Sequence, residues 1–404
     1  MKRRGLRLCA ALWFVSLSAW GQTKVLTLEQ ALDLARERGA GVALARGRVE
    51  EAEARESQAG RRFQESPTVE VDGGRRHRAG DDFLDFEASL SQGLDPGARR
   101  AARVAGAKAA TDRARAELAD VRRLLFRDVW DAFARGLTAR NRLALRGASR
   151  RAADELLAAT QRRYDAGEGT ALELNRARVA AAGARADQQA EEAAAVAALA
   201  RLKGLLGLEG PVEIQGDLSA LPPVSLEALR AGLDRRPDLE ALAAEMREAE
   251  AQVLLGQSLA WPDLGVRGGV AREEGASIVR AGIVVTLPVH GRGRETLAVG
   301  QARASALRQA LAAARAAAEA EVRGRHSALT RQLEAARELK SLALPALDDN
   351  ESLALKSFEA GEIGLGELLL VRREIVETRL AYLDRLLDVA LERFELEAAA
   401  GALR

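Results

Sequence analysis

Two carboxylates hold the best-defined chemical setting in this chain. Glu173 and Glu367 each fall in the first turn of a helical stretch, just after a glycine turn. Residues 164–178 and 358–372 superpose without a gap. Tyr164 meets Phe358, Ala166 meets Ala360, Gly167 meets Gly361, Glu168 meets Glu362, Glu173 meets Glu367 and Arg178 meets Arg372. An acid in a first helical turn is favoured by the positive end of the helix dipole, so a purely structural reading stands for both. Neither acid has the surroundings of a catalytic group. The chain shows no nucleophile–base pair, no glycine-rich cofactor fingerprint and no carboxylate constellation. His77, His290 and His326 are scattered and lack metal-ligand spacing. Gly291-Arg-Gly-Arg294 is incomplete as a phosphate loop, and it aligns with Pro96-Gly-Ala-Arg99 as a strand-to-helix bend. These residues predict no enzyme, no cofactor and no metal site.

The matched glycine turns belong to a longer duplication. Pro67-Thr-Val-Glu-Val-Asp-Gly-Gly74 aligns with Pro262-Asp-Leu-Gly-Val-Arg-Gly-Gly269 at nearly the same offset. Near-constant offsets over helix, strand and turn segments identify an internally repeated protein. Each repeat carries two stretches with the two-residue period of a strand that is dry on one face. Leu84, Phe86, Ala88 and Leu90 alternate with Asp85, Glu87 and Ser89, while Val69 and Val71 alternate with Thr68, Glu70 and Asp72. A polar turn is expected over 73–82. The second hairpin covers 263–287, with its turn over 271–276, and Ile278, Gly282 and Val284 blunt its alternation.

The rest reads as helix. One-sided apolar stripes such as Val376, Leu380, Leu383, Leu387, Leu391 and Phe394 keep the three-four spacing. Expected limits are 28–60, 97–163, 172–206, 225–259, 292–357 and 367–402, with a kink at Pro345. A stretch such as 97–163 spans on the order of 100 Å at helical rise. Each long helix equals two short ones placed end to end. A repeat is therefore a rod with a hairpin at one end and a glycine turn at the other. The domain reading is a signal peptide over 1–21, a first repeat over 22–210, a linker over 211–224 and a second repeat over 225–404.

Composition narrows the function. Lys2, Arg3, Arg4 and Arg7 precede an apolar run from Leu8 to Trp20, and Ala19-Trp20-Gly21 offers a cleavage site. Loss of that leader removes four basic residues and Cys9, the only cysteine. It turns the formal charge of +2 negative, which argues against nucleic-acid binding. No disulfide framework remains. No later apolar run is long enough to span a bilayer as a helix, so any crossing must use strands. Two hairpins leave two open edges that lipid does not tolerate. Closure then requires several chains, since a barrel needs at least about eight strands.

The Leu26-Thr-Leu-Glu-Gln-Ala-Leu32 start, the duplicated Tyr/Phe-x-Ala-Gly-Glu turn and the strand–strand–long-helix order resemble the TolC-like outer-membrane efflux protein family over roughly 25–402. Leu90-Ser-Gln-Gly-Leu-Asp-Pro-Gly-Ala-Arg-Arg100 is similar to the strand-to-helix junction of its CzcC-like heavy-metal subgroup. The resemblance implies a mainly α fold with a small β part. Four strands per chain would enter a trimeric twelve-stranded barrel in the outer membrane, continuous with a periplasmic coiled-coil tunnel. It implies an exit duct that works with a periplasmic adaptor (membrane fusion) protein and an inner-membrane efflux transporter. The tip turns would meet the adaptor through Gly167, Thr170, Gly361, Gly364 and Leu365. Glu367, and second to it Glu173, would form the acidic pore constriction. Leu370 stands where the family has a further acid, which implies a weaker charge filter.

Two other readings stand beside the conduit. The 3% aromatic content suits a periplasmic coiled-coil spacer, because barrels usually carry aromatic girdles and here only Phe83, Phe86 and Trp261 offer one. The same fold also serves type I protein secretion.

Overall fold

The computed structural model describes residues 24–78, 80–95, 97–220, 224–273 and 276–403. The expected leader over 1–21 lies outside them, as does the side chain of Phe83. The element order runs through the same plan twice. The first pass is β1 (Lys24–Leu26), α1 (Leu28–Arg38), α2 (Ala40–Ala59), β2 (Thr68–Arg78), β3 (Asp81–Leu94), α3 (Gly97–Asp165) and α4 (Ala171–Leu206). The second is β4 (Val212–Ile214), α5 (Leu226–Gly232), α6 (Pro237–Ser258), β5 (Asp263–Glu273), β6 (Ala276–Thr286), α7 (Arg294–Glu338), α8 (Leu344–Glu359) and α9 (Leu365–Ala399).

The four long strands form one antiparallel sheet in the order β2-β3-β5-β6. β3 joins β5, so the two hairpins lie side by side, and β2 and β6 are its edges. The hairpins are longer than the alternation suggested. The stretch 73–82, expected as a turn, is mostly ladder: Gly73 pairs with Phe86 and His77 with Asp82. Its glycines and arginines do not look like strand residues, but the backbone ladder runs through them and charged pairs lie across it. Arg75 pairs with Asp82, Arg76 with Asp85 at 2.7 Å, and His77 Nδ1 lies 2.8 Å from Asp82.

The helices also differ from the expected limits at three places, each with a local cause. The stretch 28–60 breaks at Gly39, where a Cβ would press into the Leu125 side chain of α3. The stretch 225–259 divides before Pro237, which holds Arg236 in an extended conformation. The stretch 292–357 widens into a π-helical turn over Leu339–Ala343, where the Leu344 N–H reaches back to the Leu339 carbonyl. Pro345 has no N–H to give and crowds the carbonyl four residues before it, so a wider turn just ahead relieves the clash. The matching α3 runs unbroken for 69 residues. The stretch 211–224 carries β4, which pairs in parallel with β1.

The main core sits midway down the shaft. Leu26, Phe126, Val129, Phe133, Leu137, Leu202, Leu206, Ile214 and Phe394 are all buried there. Trp130 of α3 stacks on Phe394 of α9, which ties the first repeat to the second. Arg123 and Arg236 donate to the Ala398 and Ala399 carbonyls, satisfying groups that the end of α9 leaves open. Higher up, α6 and α7 approach on small residues. A Cβ on Gly256 would stand 2.5 Å from the Leu297 N, and one on Gly300 would stand 2.9 Å from the Val253 N. Gly256→Ala should therefore cost about 1–3 kcal/mol through overpacking. Gly204→Ala, in open space on α4, should be neutral or stabilising by up to about 1 kcal/mol. Thermal unfolding followed by helical circular dichroism separates the two, and equal melting would contradict the close approach.

Candidate functional site: the sheet faces and the paired tip turns

The sheet register sorts side chains onto two faces. Directly paired residues share a face, and successive residues alternate. One face carries Val69, Val71, Leu84, Phe86, Leu90, Leu264, Val266, Val270, Val279, Ile283 and Val285. These large apolar side chains are open to the surroundings, Val279 by 84% and Ile283 by 76%. A contiguous exposed apolar surface of this kind marks a membrane or partner contact. The other face carries charge in pairs. Arg267 donates to Glu70 at 2.8 Å and to Ser89 at 2.9 Å, while Arg280 reaches Glu87 at 2.7 Å and Glu273 at 2.5 Å. These polar-face pairs were not singled out in the sequence, although their places between the apolar residues of each strand were visible. Strands of 11 residues match the 9–11 that a tilted strand needs to cross a bilayer.

The other end of the shaft holds the two glycine turns. In the first, the Glu168 N–H bonds the Arg163 carbonyl at 2.9 Å and the Gly167 N–H bonds that of Tyr164 at 2.9 Å. In the second, Glu362 bonds Ser357 at 2.8 Å and Gly361 bonds Phe358 at 3.1 Å. This is the same helix-ending motif twice, with Gly167 at φ +79° and Gly361 at φ +75°. Both turns meet in a small apolar cluster of Leu156, Ala177, Leu365 and Leu368. Leu365 is thus buried inside the tip, and its side chain supports the two turns from within. Arg176 of α4 lies across Gly366 of α9, where an added Cβ would touch its guanidinium.

The two candidate acids differ in their surroundings. Thr170 caps α4: its hydroxyl accepts from the Glu173 N–H at 3.2 Å, and its own N–H donates to the Glu173 carboxylate at 2.9 Å. Glu173 is therefore occupied in a capping box. The Thr170 N–H, helped by the Thr170 hydroxyl and the charge of Arg163, holds that carboxylate below the usual glutamate range. Gly364 occupies the cap position of α9 and has no side chain to offer. Glu367 is exposed, and its carboxylate has no partner among the described residues. Gly167, Gly361 and Gly364 are likewise exposed at the tip. Above the tip, Arg142 bridges Glu191 at 2.9 Å and Asp384 at 2.6 Å, linking α3, α4 and α9. Among the described residues no group of three His, Cys, Asp or Glu side chains gathers to hold a metal. No helix among them is long and apolar enough to cross a membrane.

The chain is 30% identical over 312 residues to the cobalt-zinc-cadmium resistance protein CzcC of Cupriavidus metallidurans, covering 73% of this chain and 72% of that protein. The sequence profile for outer membrane efflux proteins matches residues 31–208. This chain belongs to the outer membrane efflux protein family. Solved structures share its fold. The CmeC outer membrane channel of Campylobacter jejuni aligns with a TM-score of 0.77 at 14% identity, covering 98% of this chain and 94% of that one. A membrane protein from Pseudomonas aeruginosa aligns at 0.76 and 20% identity, covering 93% of each chain. Like the rest of this efflux family, the chain is placed in the outer membrane and extends into the periplasm.

The capping difference yields a test. A carboxylate with a depressed folded-state pKa adds stability above its ordinary range, and loses it as pH falls through the depressed value. Acidification should loosen the first turn of α4 accordingly. Thr170→Ala should cost about 1 kcal/mol, read as an approximately fivefold loss of hydrogen-exchange protection in that turn. Glu367→Ala should remove only the weaker helix-dipole contribution from the first turn of α9, and a loss as large as that of Thr170→Ala would contradict the free carboxylate.

Proposed function

We propose that this chain is the exit duct of a tripartite efflux assembly, and that three copies close one twelve-stranded barrel above a helical tunnel. The observation that carries the reading is the four-stranded sheet, with an open apolar face, an ion-paired polar face and two unpaired edges. In lipid the apolar face meets acyl chains and the polar face lines water. The unpaired edges of β2 and β6 then have to meet their counterparts in other copies. Each repeat contributes one hairpin to the wall and one pair of helices to the shaft. A periplasmic spacer would have no use for so much exposed apolar sheet.

Conduction is passive in this reading: the duct does no chemistry, and an inner-membrane transporter supplies the energy. The tip turns around Gly167, Thr170, Gly361 and Gly364 face a periplasmic adaptor, whose contact untwists the helices there. Leu365, buried in the tip, transmits that contact rather than making it. Glu367 projects a free carboxylate from each chain, so three copies would place an acidic ring at the tip. A ring of this kind favours cations. With the metal-resistance name of the CzcC relative, it points to divalent metal cations as cargo. Glu173 contributes less, since its carboxylate is engaged by Thr170.

Planar-bilayer conductance tests the assignment. Glu367→Ala should lower cation selectivity or leave the tip less tightly closed, while unchanged conductance would remove Glu367 from the constriction. The wild-type chain should be recovered from outer-membrane fractions as a heat-modifiable trimer. A soluble periplasmic monomer would decide for the spacer.

A further inference from the structure

At the end of the sheet where strands turn into helices, a row of side chains has no role yet. The register sets the level: Leu94 stands opposite Leu264, and Leu264 opposite Val285. Just beyond that row run the segments before β2, before β5 and between β6 and α7. The first is held there by the Gln92 side chain, which donates to the Glu65 carbonyl at 3.1 Å. Arg100 holds it too, donating to the Gly60 carbonyl at 2.6 Å. The last is held by Gly293, which sits against Gly256 and Leu259 with no room for a Cβ.

These segments expose two kinds of side chain together. Phe63, Trp261, Leu287 and Val289 are open to the surroundings, Trp261 by 71% and Val289 by 68%. Leu287 and Val289 follow directly on the end of β6 at Thr286, in a tight turn where the Val289 N–H bonds the Leu287 carbonyl at 2.9 Å, and both side chains stay open. Among them stand Arg61, Arg62, Arg292 and Arg294, all exposed. None of the four meets a carboxylate among the described residues, whereas Arg267 and Arg280 on the polar face each do. Arg292 adopts φ 44° between two glycines at φ 73° and 69°, a conformation that non-glycine residues rarely take.

We propose that this ring docks on the periplasmic leaflet of the membrane, its arginines binding the phosphates of anionic phospholipid headgroups. Arginine presents a fork of donors that matches a phosphate. Aromatic side chains and long basic ones settle at headgroup level, their apolar parts in the acyl boundary and their polar ends in the phosphate layer. The apolar face of the sheet ends where the ring begins, so the hydrocarbon boundary and the charge coincide. The inference rests on the sheet lying in lipid.

The test is native mass spectrometry of the detergent-solubilised full chain titrated with phosphatidylglycerol or phosphatidylcholine. The wild type should retain phosphatidylglycerol preferentially. One arginine near an anionic surface corresponds to about a fivefold change in affinity. The combined variant R61Q/R62Q/R292Q/R294Q should lose at least that much, and R61K/R62K/R292K/R294K should keep most of the preference. Arg331→Gln, on the shaft, should change nothing. Equal retention of the two lipids by the wild type would overturn the proposal, as would a preference that survives the glutamine variant. Should the glutamine variant not assemble, the four single glutamine variants decide, each expected to lose part of the preference. Membrane-extracted trimers without lipid preference would end this inference alone, whereas a chain that never enters membranes would end the duct reading first.

Discussion

Two rows of unpaired peptide groups govern this molecule. The outer edges of β2 and β6 each present a line of N–H and C=O groups with no ladder partner among the described residues. In water such an edge is a hazard; in hydrocarbon each unmet group costs on the order of several kcal/mol. Among the described residues a single copy has no strand left to cover them. The apolar face has the converse difficulty, being stable in lipid and exposed in water. Both difficulties are resolved together when copies close edge to edge in a membrane. The duplication serves that end, since β3 pairs with β5 and makes two hairpins one continuous piece of wall. The matched helix lengths then carry each hairpin on a shaft of equal reach.

Once closed, the wall separates two environments, and the charges follow that separation. Arg267 with Glu70 and Arg280 with Glu87 and Glu273 neutralise one another on the polar face. The two repeats are not equivalent at the tip. Thr170 binds Glu173, but the corresponding Gly364 leaves Glu367 free. The shaft shows the same divergence: α3 is continuous, while its counterpart passes through a π turn before Pro345. The second repeat therefore carries both the unbound acid and the interrupted helix.

Much of this was legible in the residues. The alternation of Leu84, Phe86, Ala88 and Leu90 marks a two-faced strand wherever it occurs, and the glycine turns announce themselves by repeating. The resemblance to efflux proteins supplied the assembly. What escaped had physical causes. Gly73 to His77 carry no strand signal of their own, and their partners in the ladder lie on the opposite strand. Strands as short as β1 and β4 show no period at all, and their pairing joins segments far apart in sequence. The helix breaks at Gly39, whose ψ is 118°, and Leu125 of a different helix leaves no room for a side chain there. The contrast between Thr170-Ala-Leu-Glu173 and Gly364-Leu-Gly-Glu367 was present in the sequence as a capping signature. Its meaning, one acid bound and one free, required the hydrogen bonds.

Closure between copies is most directly tested by cysteine pairs walked along the two edge strands, Thr68–Arg78 and Ala276–Thr286, in outer-membrane preparations of the chain carrying Cys9→Ser. Edge-to-edge joining predicts disulfide-linked trimers at a set of positions stepping by two residues, lost when the register is shifted. Absence of any crosslink between β2 of one copy and β6 of another would contradict it.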